Sequence, residues 1–90
     1  PQMSEKRIRQ AILDLTAERG AGKTVCPSEI ARIVKPEDWR SLMVPIRQVA
    51  HDLLKAGKIR VTQRGKNVEP LTAKGPVRLG LGNTTSKPVR

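Results

Sequence analysis

Ninety residues with a formal net charge of +10 and 37% hydrophobic content make one small domain rather than two. A single Cys excludes an internal disulfide framework, no apolar run approaches the ~20 residues of a membrane-spanning helix, and the N-terminal Pro-Gln-Met-Ser-Glu-Lys-Arg has no signal-peptide core. These features point to a soluble protein of a reducing cytoplasm.

The charge is unevenly placed. Residues 1–57 carry ten Lys/Arg against seven Asp/Glu, whereas residues 58–90 carry eight against Glu69 alone. Such clustering favours a polyanionic partner over charge that merely keeps a small chain in solution.

In chain order, residues 4–19 read as a helix capped by Ser4, with Ile8, Ala11, Ile12 and Leu15 on one face. Gly20 ends it. Arg7 and Arg9 belong to a solvated flank. Gly20-Ala-Gly-Lys-Thr24 invites a phosphate-loop reading, but Ala17 stands where that template needs Gly, and a helix rather than a strand precedes it. A flexible connection followed by a short pairing segment at Thr24-Val25 is the better account. Cys26-Pro27-Ser28-Glu29 opens the next helix, with Pro27 at the first position and Cys26 at the cap; Ser28 is the alternative cap. Ile30, Ala31, Ile33 and Val34 supply its buried side. Cys26 is expected to be structural rather than catalytic, since His51 is the sole His and is assigned to another helix.

Lys35-Pro36-Glu37-Asp38 interrupts the helical period, and Trp39, the one aromatic residue, is expected to plug the gap between helices beside Leu42 and Met43. Arg40 next to it faces solvent or a phosphate. Pro45 starts or bends a longer helix in which Ile46, Val49, Ala50, Leu53 and Leu54 form the core stripe. Val44, Gln48, His51 and Lys55 fall on the opposite face, with Arg47 and Asp52 at its edges. Gln and Arg suit base edges and Lys suits phosphate. Gly57 closes the helix.

Lys58 to Glu69 reads as a β-hairpin: Ile59, Val61 and Gln63 alternate with Arg60 and Thr62, and Arg64-Gly65-Lys66-Asn67 makes the turn. Leu71 and Ala73 are placed over the core edge. Val77-Arg78-Leu79 is a last short extended segment, and residues 80–90 read as a disordered tail.

A helix-turn-helix followed by a basic hairpin is the pattern of a winged helix-turn-helix, an α+β fold of three helices plus a small antiparallel β-hairpin wing, expected over residues 4–79. Its interface would comprise Arg40, Arg47, Gln48, His51 and Lys55 with Arg60, Arg64 and Lys66 from the hairpin. Duplex DNA is the leading partner, RNA or an acidic protein the alternative, and a monomer the default because no spare long helix is present. No cofactor, metal site or catalytic constellation is expected.

Several stretches also resemble a family of small bacterial proteins of unknown function: Gly20-Ala-Gly-Lys-Thr-Val-Cys-Pro-Ser-Glu-Ile-Ala, Asp38-Trp39-Arg40 with Leu42-Met43 and Pro45-Ile46-Arg47, Val61-Thr-Gln-Arg-Gly-Lys, and Gly75-Pro76-Val77-Arg78-Leu79. The resemblance covers roughly residues 8–79 and implies a winged-helix fold more firmly than an activity. Some relatives carry a small Cys-rich module that is missing here, so a metal-dependent role does not carry over.

Overall fold

The apolar stripes read from the sequence converge on one core. Ile8 and Ile12 from the first helix, Ile30 and Ala31 from the second, and Ile46, Ala50 and Leu53 from the third are all buried, together with Val25, Ile59, Val61, Val77 and Leu79. The computed structural model describes residues 2–82, with side chains from residue 5 onward. Its elements are α1 (Gln2–Arg19), β1 (Thr24–Val25), α2 (Pro27–Val34), a 3-10 segment (Pro36–Leu42), α3 (Met43–Lys55), β2 (Ile59–Gln63), β3 (Lys66–Asn67) and β4 (Arg78–Leu81). The fold is α+β, with three α-helices and a four-stranded antiparallel sheet in the order β1-β4-β2-β3. The sequence α1-β1-α2-α3-β2-β4, with β4 returning between β1 and β2, is winged-helix-like.

The helix starts differ from expectation for α1 and α3 and agree for α2: α3 begins at Met43, so Pro45 lies inside its first turn instead of starting it. α1 begins at Gln2, so Ser4 lies inside the helix instead of capping it. Cys26 is the cap of α2 and Pro27 its first residue. The Glu29 carboxylate accepts the Cys26 N–H at 3.1 Å, which satisfies a donor that the helix itself leaves open. The same carboxylate meets Arg19 Nη2 at 2.6 Å, while Arg19 Nη1 donates to Thr24 O at 3.0 Å. Arg19 therefore ties the end of α1 to β1 and to the start of α2. Its hydrogen bond, followed by that of the Cys26 N–H, holds the Glu29 carboxyl below the usual carboxylate range.

Within α1, the buried Thr16 satisfies its hydroxyl by donating to Ile12 O at 2.8 Å. Ile33, expected on the buried side of α2, is 57% exposed. Trp39 is half-buried against the core, and the guanidinium carbons of Arg32 and Arg40 lie 4.5 and 4.6 Å from its ring. The indole thus fills the corner between α2 and α3 as expected, and its exposed part carries two stacked cations.

The hairpin turn is tighter than read from the sequence. Gln63 pairs with Lys66, so only Arg64 and Gly65 lie in the turn, with φ of 55° and 82°. Positive φ at both central residues is the two-residue turn whose twist matches paired strands. Lys66 and Asn67 are strand, not turn.

The end of the fold also moves. β4 runs past the boundary expected at residue 79, through Leu81, and Gly82 N–H donates to Lys58 O at 3.1 Å. Gly80 and Leu81 are therefore part of the sheet and Gly82 is tied to Lys58 beside it, whereas the remainder of the expected disordered tail, residues 83–90, lies outside the described residues. Gly80 and Gly82 are small because the space is taken. A Cβ at Gly80 would stand 2.8 Å from Arg60 Cζ, and one at Gly82 would stand 2.6 Å from the Lys58 carbonyl carbon and would also collide with Gly57 O. A flexible Arg side chain can move; backbone cannot.

Gly82→Ala should lower stability by about 1–3 kcal/mol, the usual cost of overpacking against fixed atoms, measurable by urea denaturation. Gly80→Ala should cost clearly less. Equal behaviour of both variants and the wild type would mean that β4 does not pack as described.

Candidate nucleic-acid interface

The outer flank of α3 follows from its stripe: burying Ile46, Val49, Ala50 and Leu53 turns Val44, Gln48 and Lys55 outward, and all three are exposed. Asp52 is exposed at the edge of this flank. Arg47 and His51 do not stand free on it, which corrects the expectation that they reach outward to bases. Arg47 Nη1 donates to Pro70 O at 2.9 Å and to Ala73 O at 2.8 Å, and Nη2 donates to Gly75 O at 2.6 Å. His51 Nδ1 lies 2.8 and 3.0 Å from the two Glu69 oxygens. Both side chains fasten the loop of residues 68–77 to the helix. Leu71 in that loop is 44% exposed, so it does not cover the core edge as expected, whereas Ala73 does pack against the core.

Glu69 is the hub of this attachment. Its side chain accepts the Leu71 N–H at 3.1 Å besides meeting His51, and its carbonyl accepts the Ala73 N–H at 2.9 Å. The Leu71 N–H, then His51, hold the Glu69 carboxyl below the usual carboxylate range. Because the folded carboxyl is more acidic than the unfolded one, the stabilisation is present above the unfolded value and is lost as pH falls through the folded one.

On the hairpin side, Arg64 and Lys66 are exposed at the tip. Arg60 is not a free outer cation: its Nη2 donates to Ala21 O at 2.9 Å and its Nη1 to Leu81 O at 3.4 Å. Gln63, expected on the apolar side of the strand, instead donates from Nε2 to Lys74 O at 2.7 Å and Pro76 O at 3.0 Å. Arg40 is exposed but stacked over Trp39.

Of the eight residues expected at an interface, Gln48, Lys55, Arg64 and Lys66 are therefore exposed without a hydrogen-bond partner among the described residues, and Arg40 is exposed on the indole. The loop brings α3 and the hairpin together. Arg47 grips its inner carbonyls, Gln63 grips its far end, and exposed Lys74 lies between them. The sequence reading missed Lys74, the Gln63 clamp and the Glu69–His51 pair. The signal for the pair was present: Glu69 is the single acid among residues 58–90.

Arg64 carries a further sign. It is the one non-glycine residue with positive φ among the described residues. Asn occupies that turn position with less steric cost than Arg, so the chain keeps a cation where its backbone would favour a short side chain.

A winged-helix-like α+β domain with a cationic hairpin and a basic C-terminal half is the class that this architecture defines. Within that class, the chain belongs to the family described as "Protein of unknown function (DUF3253)", whose model matches residues 5–82. No curated protein matches the chain. No helix among the described residues is long and apolar enough to cross a membrane.

Arg47→Ala should cost about 2 kcal/mol of unfolding free energy, since it removes several charge-assisted hydrogen bonds from a partly exposed site. Arg47→Lys should recover only part of it, because an ammonium cannot span the same carbonyls as a planar fork. In a carboxyl-detected NMR titration Glu69 should titrate below the usual carboxylate range, and His51→Ala should move it back only part of the way because Leu71 still donates. Arg64→Asn should raise stability by about 0.5–1 kcal/mol by relieving the turn, read as a shift of the urea midpoint at constant slope.

Proposed function

We propose that the protein is a cytoplasmic nucleic-acid-binding domain with duplex DNA as its partner and a regulatory role. Gln48 and Lys55 on α3 would face the groove, and Arg64 and Lys66 would meet phosphates beside it, with Arg40 at the margin. The observation that carries this reading is the physical continuity between the helix and the hairpin. Residues 70–76 bridge Arg47 and Gln63, so exposed cations from elements far apart in sequence border one stretch of surface. The one acid among residues 58–90, Glu69, is held by His51 and the Leu71 N–H, which fixes its position on the loop.

The test is a duplex titration against salt. The logarithm of the association constant should fall with log[salt] at about −0.9 per neutralised phosphate. Lys66→Ala should weaken binding to all sequences alike and flatten that slope by about 0.9, whereas Gln48→Ala should act more on one sequence than another. Indifference to salt would defeat the reading.

One observation favours a second reading, an interaction module for an acidic protein or RNA. Val44 is 77% exposed on the outer flank of α3 and Leu71 is 44% exposed in the loop gripped by Arg47, apolar surface that a protein partner can bury. Retention of an acidic protein or of RNA, with no duplex retained at low salt, would select it.

A further inference from the structure

Three cationic residues, Arg64 from the hairpin turn and Lys74 and Arg78 from the segment leading into β4, line one concavity. Gln63, Arg64, Lys74, Gly75, Pro76 and Arg78 line a hollow of about 490 Å³ between the hairpin turn and the segment that leads into β4. No acidic side chain is in its wall. Three like charges brought together repel one another, and a fold tolerates them most easily when a mobile anion is near.

The wall is also prepared for an anion. Gln63 Nε2 holds the carbonyl oxygens of Lys74 and Pro76, at 2.7 and 3.0 Å, so these acceptors do not quench the cations around them. Arg47 Nη2 holds the carbonyl of Gly75 in the same way at 2.6 Å. Arg78 is fixed from behind: its Nε donates to Thr24 Oγ1 at 2.8 Å and its Nη1 contacts Cys26 Sγ at 2.7 Å. Its Nη2 has no hydrogen-bond partner among the described residues. The acid that feels Arg78, Glu29, is engaged by Arg19 at 2.6 Å. Arg64 enters from the hairpin turn, where its positive φ keeps a cation at a conformational cost.

We propose that this concavity is a phosphate seat, in which Arg78 Nη2, the Arg64 guanidinium and the Lys74 ammonium share the oxygens of one phosphate group. A guanidinium fork matches phosphate geometry, and the flexible Lys74 supplies a point charge. The phosphate could belong to a duplex backbone or to a free phosphorylated small molecule, since both present the same oxygens. Where it is a duplex phosphate, the seat rests on the nucleic-acid reading above and adds Lys74 and Arg78 to it.

The test uses the full chain, labelled with nitrogen-15, titrated with inorganic phosphate at constant ionic strength set by chloride, and in parallel with duplex DNA. Saturable shifts should be confined to the Arg64 and Arg78 Nε–H signals and to backbone amides of residues 63–65 and 74–78. Lys74→Ala, at an exposed position that the core does not need, should weaken phosphate by about fivefold, while Lys6→Ala on α1 should leave it unchanged. If duplex binding is also weakened by Lys74→Ala more than by Lys6→Ala, the source is the nucleic-acid backbone. If phosphate saturates the seat but no duplex binds at low salt, the seat stands with a small-molecule source and the nucleic-acid reading falls. If no saturable phosphate shift occurs, or if Lys74→Ala and Lys6→Ala behave alike with both ligands, the seat is overturned, even where duplex binding itself persists.

Discussion

The guanidinium of Arg47 holds carbonyl oxygens of Pro70, Ala73 and Gly75, residues 23 to 28 positions further along the chain. An Arg fork suits this work because it presents several donors in a fixed plane and cannot lose its charge. Without it, the loop would have to satisfy those carbonyls with water, and its attachment would rest on the apolar contacts of Val68, Pro70, Ala73 and Val77. With it, the loop becomes the material that joins helix to hairpin. The second fastening, between Glu69 and His51, works at the other end of the same loop and brings the one acid of the basic half under control.

This attachment decides which charges remain available. A composition of +10 describes only a total. Arg19, Arg47, Arg60 and Arg78 are wholly or largely engaged in holding strands, caps and loop together, and Arg32 and Arg40 are stacked on Trp39. The lysines are different. Lys55, Lys66 and Lys74 are exposed, and their ammonium groups make no hydrogen bond among the described residues. The split has a chemical reason: the delocalised, weakly hydrated guanidinium is cheap to fix against carbonyls and rings, whereas the ammonium prefers water or a polyanion. Arg7 and Arg9 on α1 are exposed as well, and Arg64 is exposed at a turn tip with φ of 55°.

The sheet shows how a short strand can organise a small fold. β4 has four residues, yet it pairs with both β1 and β2, and Leu79 from it is fully buried. Gly80 gives room to Arg60 and Gly82 to the chain at Gly57 and Lys58. A reading based on side-chain pattern sees Gly-Leu-Gly as the start of a flexible tail. The glycines are there because other atoms already occupy the Cβ positions, and that information lies in residues twenty or more positions away.

Local patterns were sufficient for the helices, for Pro27 beside a Cys26 cap, for Trp39 at the corner between α2 and α3, and for the pairing segment at Thr24-Val25, because each depends on periodicity or on backbone rules acting within a few residues. They were also sufficient for the order of elements that makes the fold winged-helix-like, and for Gln48, Lys55, Arg64 and Lys66 as exposed polar positions. What the residues could not reveal alone was the fate of Arg47, His51, Arg60 and Gln63. On a helical wheel or an alternating strand Arg47, His51 and Arg60 point away from the apolar side, where solvent is the default, and Gln63 falls on the apolar side with no polar partner in view. Only the tertiary structure, by folding residues 68–77 back over Arg47, His51 and Gln63 and by bringing Ala21 and Leu81 beside Arg60, placed carbonyls and a carboxylate within their reach, because hydrogen bonds between distant segments leave no periodic trace in a sequence.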